Sequence, residues 1–151
     1  MIFEEKQIRK IEENPVVGIS EACDLILAHL DSEMEGESGW TQNAHEILWE
    51  GCTFLILAIE NSQIDLDVKL PNATGDIEEN CNNLSTLLNR ITEVFHKQTL
   101  KLKINTYRGR YQSVFKNSFA YEFSKGDYDR IQTLVNAVSY THLRAHETAT
   151  Y

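Results

Sequence analysis

One segment in the middle of the chain is apolar on nearly every side, and it limits the fold more than any other feature. Thr41 can begin a helix here, because its hydroxyl can accept hydrogen bonds from first-turn amides. The apolar positions that follow are Ala44, Ile47, Leu48, Cys52, Phe54, Leu55, Leu57, Ala58 and Ile59. They cover most of a helical circumference, and such a helix must be buried by other elements. The sequence therefore predicts a central helix over 41–61 with further helices packed around it.

Amphipathic helical patterns lie on both sides of this central segment. Residues 3–13 form a short candidate helix that Asn14 and Pro15 end. We expect Ser20 to cap the next helix and Thr74 to cap the helix that follows the central one. Apolar residues recur at steps of three and four in both helices: Ile19, Cys23, Ile26, Leu27, Leu30 and Met34, then Ile77, Cys81, Leu84, Leu88, Ile91 and Phe95. The fold class predicted is mainly α, a bundle of four to six helices.

Three stretches carry a strand period as well as, or instead of, a helical one. Apolar and polar residues alternate over 63–71 and again over 119–123, which predicts one or two short extended segments. Residues 99–118 fit both periods. The helical pattern holds over the longer window, so we predict a helix there, with Gly109 costing ~1 kcal/mol relative to alanine. A last helix is expected from Tyr128.

Charge is distributed unevenly in a chain of net charge −9. Residues 1–96 hold 5 Lys/Arg and 19 Asp/Glu, a net of −14, whereas residues 97–137 hold 8 Lys/Arg and 3 Asp/Glu, a net of +5. Such asymmetry can mark a nucleic-acid surface, or two parts of one fold that neutralise each other. We favour internal neutralisation, because the overall acidity of the protein repels polyanions.

The basic segment 97–116 contains the strongest candidate for a binding site. Its cations could release counterions from phosphates, and exposed tyrosines could stack on bases. The residues of this candidate polyanion site are Lys101, Lys103, Tyr107, Arg108, Arg110, Tyr111 and Lys116. The competing interpretation is a helix whose tyrosines face the core and whose cations pair with the acidic first half. The exposure of Tyr107 and Tyr111 separates the two.

Signals for catalysis, metals and cofactors are weak. Each of Cys23, Cys52 and Cys81 lies on the apolar face of its own predicted helix, and none has a cysteine or histidine at zinc-ligand spacing. His45 is followed by Glu46, but no second histidine stands four residues away. We therefore predict no catalytic residue, no metal and no cofactor. Unpaired thiols in a chain with a charged N-terminus fit a reducing cytoplasm.

The end of the chain has the character of an artefact rather than of a natural domain. Residues 138–148 read VSYTHLRAHET, which resembles the translation of a transposase-type sequencing adapter over eleven consecutive residues. The resemblance implies that 138–151 is an adapter-derived tail. The adapter joins inside a helical pattern, so 1–137 is expected to be a single helical domain and the N-terminal part of a longer natural protein. His142 and His146 receive no metal-binding role for this reason.

The segment FAYEFSKGDYDRIQTLVN, residues 119–136, resembles a family of uncharacterised bacterial proteins in which an aromatic strand leads into a helix. The resemblance implies a bacterial, cytoplasmic origin and brings no known activity. The longest apolar run, residues 54–59, is far too short to cross a membrane. The function predicted is a non-catalytic helical interaction module of unknown partner, through a protein partner or self-association; the alternative is a nucleic-acid or other polyanion-binding domain that uses 97–116.

Overall fold

The computed structural model describes residues 3–33, 41–62, 64 and 76–116. These residues form six helices: α1 (Glu5–Glu13), α2 (Pro15–Glu33), α3 (Gln42–Ser62), α4 (Ile77–Val94), α5 (Gln98–Arg110) and the short α6 (Gln112–Val114). No strand occurs among them, so the mainly α bundle is confirmed. Ile64 has no regular secondary structure; the rest of 63–71, and all of 119–123, the helix from Tyr128 and the tail 138–151, lie outside the described residues.

Helix α3 is the central element, as its sequence predicts. Its first turn is capped by Thr41, whose hydroxyl accepts from the Ala44 amide at 3.1 Å. Every residue from 51 to 59 is buried, and Leu48 and Leu55 have no exposed surface. Helices α1, α2 and α4 all contact α3. Complete burial over nine consecutive residues requires neighbours on every side, which these three helices supply.

Two glycines let the first three helices approach closely. A β-carbon added at Gly18 of α2 would lie 2.6 Å from the Cα of Ile11 in α1. One added at Gly51 of α3 would lie 2.7 Å from the Cγ1 of Ile26 in α2. Each glycine therefore receives an isoleucine from the neighbouring helix, and any larger side chain would force the helices apart.

Two predicted helix starts are wrong by a few residues. Helix α2 begins at Pro15 rather than at Ser20, because proline suits a first helical turn where its missing N–H has no partner to lose. The Asn14 side chain accepts from the Val17 amide at 3.4 Å at that turn. Helix α4 is capped by Asp76, which accepts from the amides of the next turn, whereas Thr74 lies outside the described residues.

Helix α4 ends in a tight reversal that aims the chain into α5. His96 adopts a left-handed conformation with φ 55°. The Lys97 amide donates to the Thr92 carbonyl at 2.7 Å, and the His96 amide donates to the Glu93 carbonyl at 3.1 Å. This pair of hydrogen bonds is the Schellman arrangement, which satisfies two carbonyls at a helix C-terminus. It places α5 beside both α4 and α2.

Candidate functional site

Residues 99–118 fit both a strand and a helical period, and the structure forms helix α5 in the first part of this stretch. The regular helix ends at Arg110, and the short α6 follows after Tyr111. Leu100, Ile104 and Tyr107 are buried on the face that packs into the bundle. Their spacing of four and three residues is that of one helical face. Leu100, Leu102 and Ile104 alternate with polar residues as they would in a strand. In the helix they lie on different faces, because Leu100 and Ile104 are buried and Leu102 points outward.

The tyrosines of the candidate polyanion site face inward. Tyr107 is only 2% exposed, and Tyr111 is half-buried and packs against the core. The ring centroids of Tyr107 and Tyr111 lie 5.3 Å apart, and Phe115 lies 6.5 Å from Tyr107. A base cannot stack on Tyr107 unless this aromatic cluster opens. The geometry therefore matches the interpretation in which the tyrosines belong to the core.

Tyr107 makes a second contact that the sequence did not suggest. Its hydroxyl is hydrogen-bonded to Nδ1 of His45 in the first turns of α3, across 62 residues of chain. Burial lowers the pKa of His45, although the neighbouring Glu46 opposes the shift. Burial also raises the pKa of Tyr107 to about 12. Both groups are therefore neutral near pH 7, and the pair links α3 to α5.

The lysines of α5 and its cap are paired with acidic residues elsewhere in the bundle. Lys97 Nζ lies 2.7 Å from Asp24 Oδ1, and Lys103 Nζ lies 2.9 Å from Asp31 Oδ1. Both carboxylates belong to α2, so the predicted pairing between the basic segment and the acidic first half is confirmed at these two positions.

Two further lysines pair with residues of α4. Lys101 Nζ lies 2.6 Å from Glu93 Oε1, and its hydrogen bond lowers the pKa of that carboxyl. Lys116 is bonded to Glu78 near the start of the same helix. The cations therefore point to two different helices rather than to one common face. Of the seven residues predicted as a polyanion site, Lys101, Lys103 and Lys116 are occupied in this way.

Arg108 and Arg110 behave differently from the lysines. Neither forms an ion pair with another described residue, and Arg110 is exposed. Both lie in the last turn of α5, where positive charge interacts favourably with the helix dipole. The structure thus disperses the seven predicted residues: three lysines are paired, two tyrosines face inward, and two arginines remain at one end of the helix.

Sequence reasoning missed the apolar part of the outward face of α5. Leu102 is 56% exposed, Thr106 and Gly109 are exposed, and their spacing of four and three residues places them on one stripe. A β-carbon at Gly109 would meet no described residue outside the neighbouring turn of α5 within 4 Å. The sequence feature that could have indicated this face is Gly109. A glycine inside a helical pattern lowers helix stability, and a packing or binding role can explain its presence.

The three cysteines are buried and have no disulfide partner. Burial raises the pKa of the Cys23 thiol to about 12 and raises that of Cys52 still further. The thiolate is the nucleophilic form, so burial keeps the thiols of Cys23 and Cys52 in the less reactive protonated form. Within the described ranges, no group of three or more His, Cys, Asp or Glu side chains is placed to hold a metal ion.

Comparisons with known proteins add no relative: no family model, no curated protein and no solved structure matches the chain. In the part of the chain that the structure describes, no helix combines the length and apolarity that crossing a membrane requires.

Proposed function

We propose that this protein is a non-catalytic helical interaction module that binds another protein through the outward face of α5. The observation that carries the proposal is the exposure of Leu102 on a helix whose opposite face already fills the core. An exposed leucine gains free energy when a partner covers it, in proportion to the apolar area removed from water. The two arginines at the end of the same helix add charge that a partner can neutralise.

The polyanion alternative has less support. Three of the five cations in the candidate polyanion site are paired within the bundle, and the ring of Tyr107 is buried. A polyanion would compete with those carboxylates and would approach a protein of net charge −9. Arg108 and Arg110 are the residues through which it would have to act, whereas a protein partner must also cover Leu102, so the dependence of binding on Leu102 separates the two proposals.

We also propose a bacterial cytoplasmic setting, with 138–151 derived from a sequencing adapter. Three buried thiols without a disulfide suit a reducing compartment. The sequence likeness at residues 119–136 supports the bacterial origin. Deletion of 138–151 tests the tail directly: the melting curve should stay unchanged, and a large loss of stability would show that these residues belong to the fold.

A photoreactive residue tests the proposed binding face. It replaces Leu102 in one variant and Val16, which is 59% exposed on α2, in a matched control. We expect a discrete protein adduct from position 102 in cells, identifiable by mass spectrometry and absent at position 16. The purified partner should then bind the protein and lose binding to the Leu102→Asp variant but not to Val16→Asp. Equal adducts at both positions, or adducts to nucleic acid alone, would contradict the proposal.

A further inference from the structure

The three glycines among the described residues all lie in helices, yet only two of them have a neighbour. Gly18 receives Ile11 of α1, and Gly51 receives Ile26 of α2. In both cases an added β-carbon would collide with the isoleucine, so the glycine is the gap that admits it. Gly109 likewise lacks a side chain on the outward face of α5, and an added β-carbon would meet no described residue from another helix within 4 Å.

No packing contact with a described residue requires glycine at position 109, which lies in the last turn of α5. The residue is helical, its φ is not positive, and alanine would favour the helix more. A glycine on a helix face does allow another chain to approach the backbone closely. We propose that Gly109 and Leu102 form a gap and a knob that receive a helix of a partner protein, and that this partner helix is acidic and amphipathic. The inference rests on the proposed function and adds the chemical class of the partner.

Spacing supports a helix as the occupant. Leu102 and Gly109 are seven residues apart, which is two helical turns or about 10 Å along the axis. A partner helix with aliphatic residues at i, i+3 or i+4, and i+7 would place one such residue over Gly109 and others beside Leu102. This is the mode in which Ile26 meets Gly51 inside the bundle.

Charge supports an acidic partner only locally, at the end of α5, because the net charge of −9 repels an acidic helix as it repels nucleic acid. The chain from Lys97 to Lys116 contains six cations and no acidic residue. The lysines are paired internally, but Arg108 and Arg110 flank Gly109 without an ion pair to any described residue. Carboxylates on either side of the partner's apolar stripe would neutralise them. A second copy of this chain is disfavoured, because two such faces would bring like charges together.

The test uses synthetic peptides of about 18 residues, five helical turns, and fluorescence anisotropy. The first peptide has leucines at the helical spacing above and glutamates elsewhere. In the second, lysines replace the glutamates; in the third, serines replace the leucines; a single-stranded DNA is the fourth probe. We expect micromolar binding of the first peptide, weakened by salt, and binding weaker by roughly tenfold or more for the other three.

Two variants and a control locate the binding. Leu102→Asp removes the knob, and Gly109→Leu fills the gap while favouring the helix, so its melting temperature should not fall. Each substitution should weaken binding of the acidic peptide by roughly tenfold or more. Val16→Asp adds a charge at an equally exposed valine and should leave that binding unchanged. Unchanged binding in the Gly109→Leu variant would overturn the inference.

The outcomes also separate this inference from the proposed function. If the acidic peptide fails to bind while the photoreactive residue at 102 still yields a specific partner, the partner class is wrong and the interaction module stands. If DNA binds more tightly than the acidic peptide and the Arg108→Gln and Arg110→Gln changes abolish it, the inference is overturned in favour of polyanion binding.

Discussion

Helix α2 packs against α3 on one side and against α5 on another, and the two interfaces differ in chemistry. Against α3 the contact is apolar and close, with Ile26 seated on Gly51. Against α5 it includes the Lys97–Asp24 and Lys103–Asp31 ion pairs, whose carboxylates are more than half exposed. Partly exposed ion pairs contribute ~0–1 kcal/mol each, whereas a buried aliphatic side chain contributes several times more. The comparison predicts a rigid core of α1, α2 and α3, and an α5 that is held by fewer buried side chains (Leu100, Ile104 and Tyr107) together with salt-sensitive ion pairs.

The largest expected effect is the loss of a buried side chain from the centre of the tight interface. Leu55→Ala should lower the free energy of unfolding by ~2–5 kcal/mol, because Leu55 has no exposed surface and the cavity cannot be filled by α3 itself. Urea unfolding measures the change. Leu102→Ala is the control and should stay within ~0.5 kcal/mol, as an exposed position does. If Leu55→Ala also changed the free energy of unfolding by less than ~0.5 kcal/mol, α3 could not be the centre of the core.

Glycine substitutions sharpen the comparison between packed and open helix faces. Gly18→Ala places a β-carbon 2.6 Å from backbone atoms of Ile11, so α1 must shift, at a cost of ~1–3 kcal/mol. Gly109→Ala meets nothing and should stabilise the helix by ~1 kcal/mol. Thermal unfolding of both variants checks the opposite signs. If both substitutions changed thermal stability in the same direction, the two glycines would lie in similar environments.

Charge removal tests the looser interface. Replacing Lys97, Lys101 and Lys103 with glutamine should lower the free energy of unfolding by ~1–2 kcal/mol in total, more at low salt than at high salt. Replacing Arg108 and Arg110 should cost less, ~0.3 kcal/mol each, which is the low end of the helix-dipole effect. Urea unfolding at two salt concentrations compares the sets. A larger effect from the arginines would show that the lysine pairs do not hold α5.

The pair between His45 and Tyr107 gives α5 a pH-dependent contact. The folded-state pKa of His45 is lowered, so the unfolded chain takes up this proton first as the pH falls. The contribution of His45 to stability is therefore present above its unfolded pKa of about 6.5 and declines as the pH falls from there toward the folded value. The unfolding free energy of the wild type should decrease between about pH 7 and 5. His45→Gln should flatten part of that slope; an identical slope would refute the assignment.

The smallest effect concerns the turn that feeds α5. His96 has φ 55°, a conformation that costs ~1–2 kcal/mol for a residue with a β-carbon and that glycine adopts freely. Part of the gain in His96→Gly is lost to backbone entropy, so we expect a net stabilisation of about 0.5 kcal/mol. His96→Val should instead destabilise, since β-branched residues avoid positive φ. A stabilised valine variant would contradict the left-handed conformation.

The sequence predicted the helices and the centre of the core because those depend on local periodicity. Leu48, Leu55 and their neighbours occupy every side of α3, so the helix must be surrounded by other elements to bury them. Partners distant in sequence were not predictable in this way: His45 and Tyr107 are 62 residues apart. The net charges of the two halves indicated that α5 would pair with acidic residues, but they did not indicate which. The sequence marks Gly109 as a helix-weakening residue, and only the structure shows that the leucine two turns before it on the same face is exposed.

Native-state hydrogen exchange compares the two interfaces of α2 most directly. Amides of α3 around Leu55 should exchange only through global unfolding, with protection that high salt leaves nearly unchanged. Amides of α5 around Ile104 should exchange through a local opening of lower free energy, and high salt should lower that free energy further by weakening the lysine pairs. Equal opening free energies for both helices, unaffected by salt, would contradict the account of a rigid core of α1, α2 and α3 beside an α5 that ion pairs help to hold.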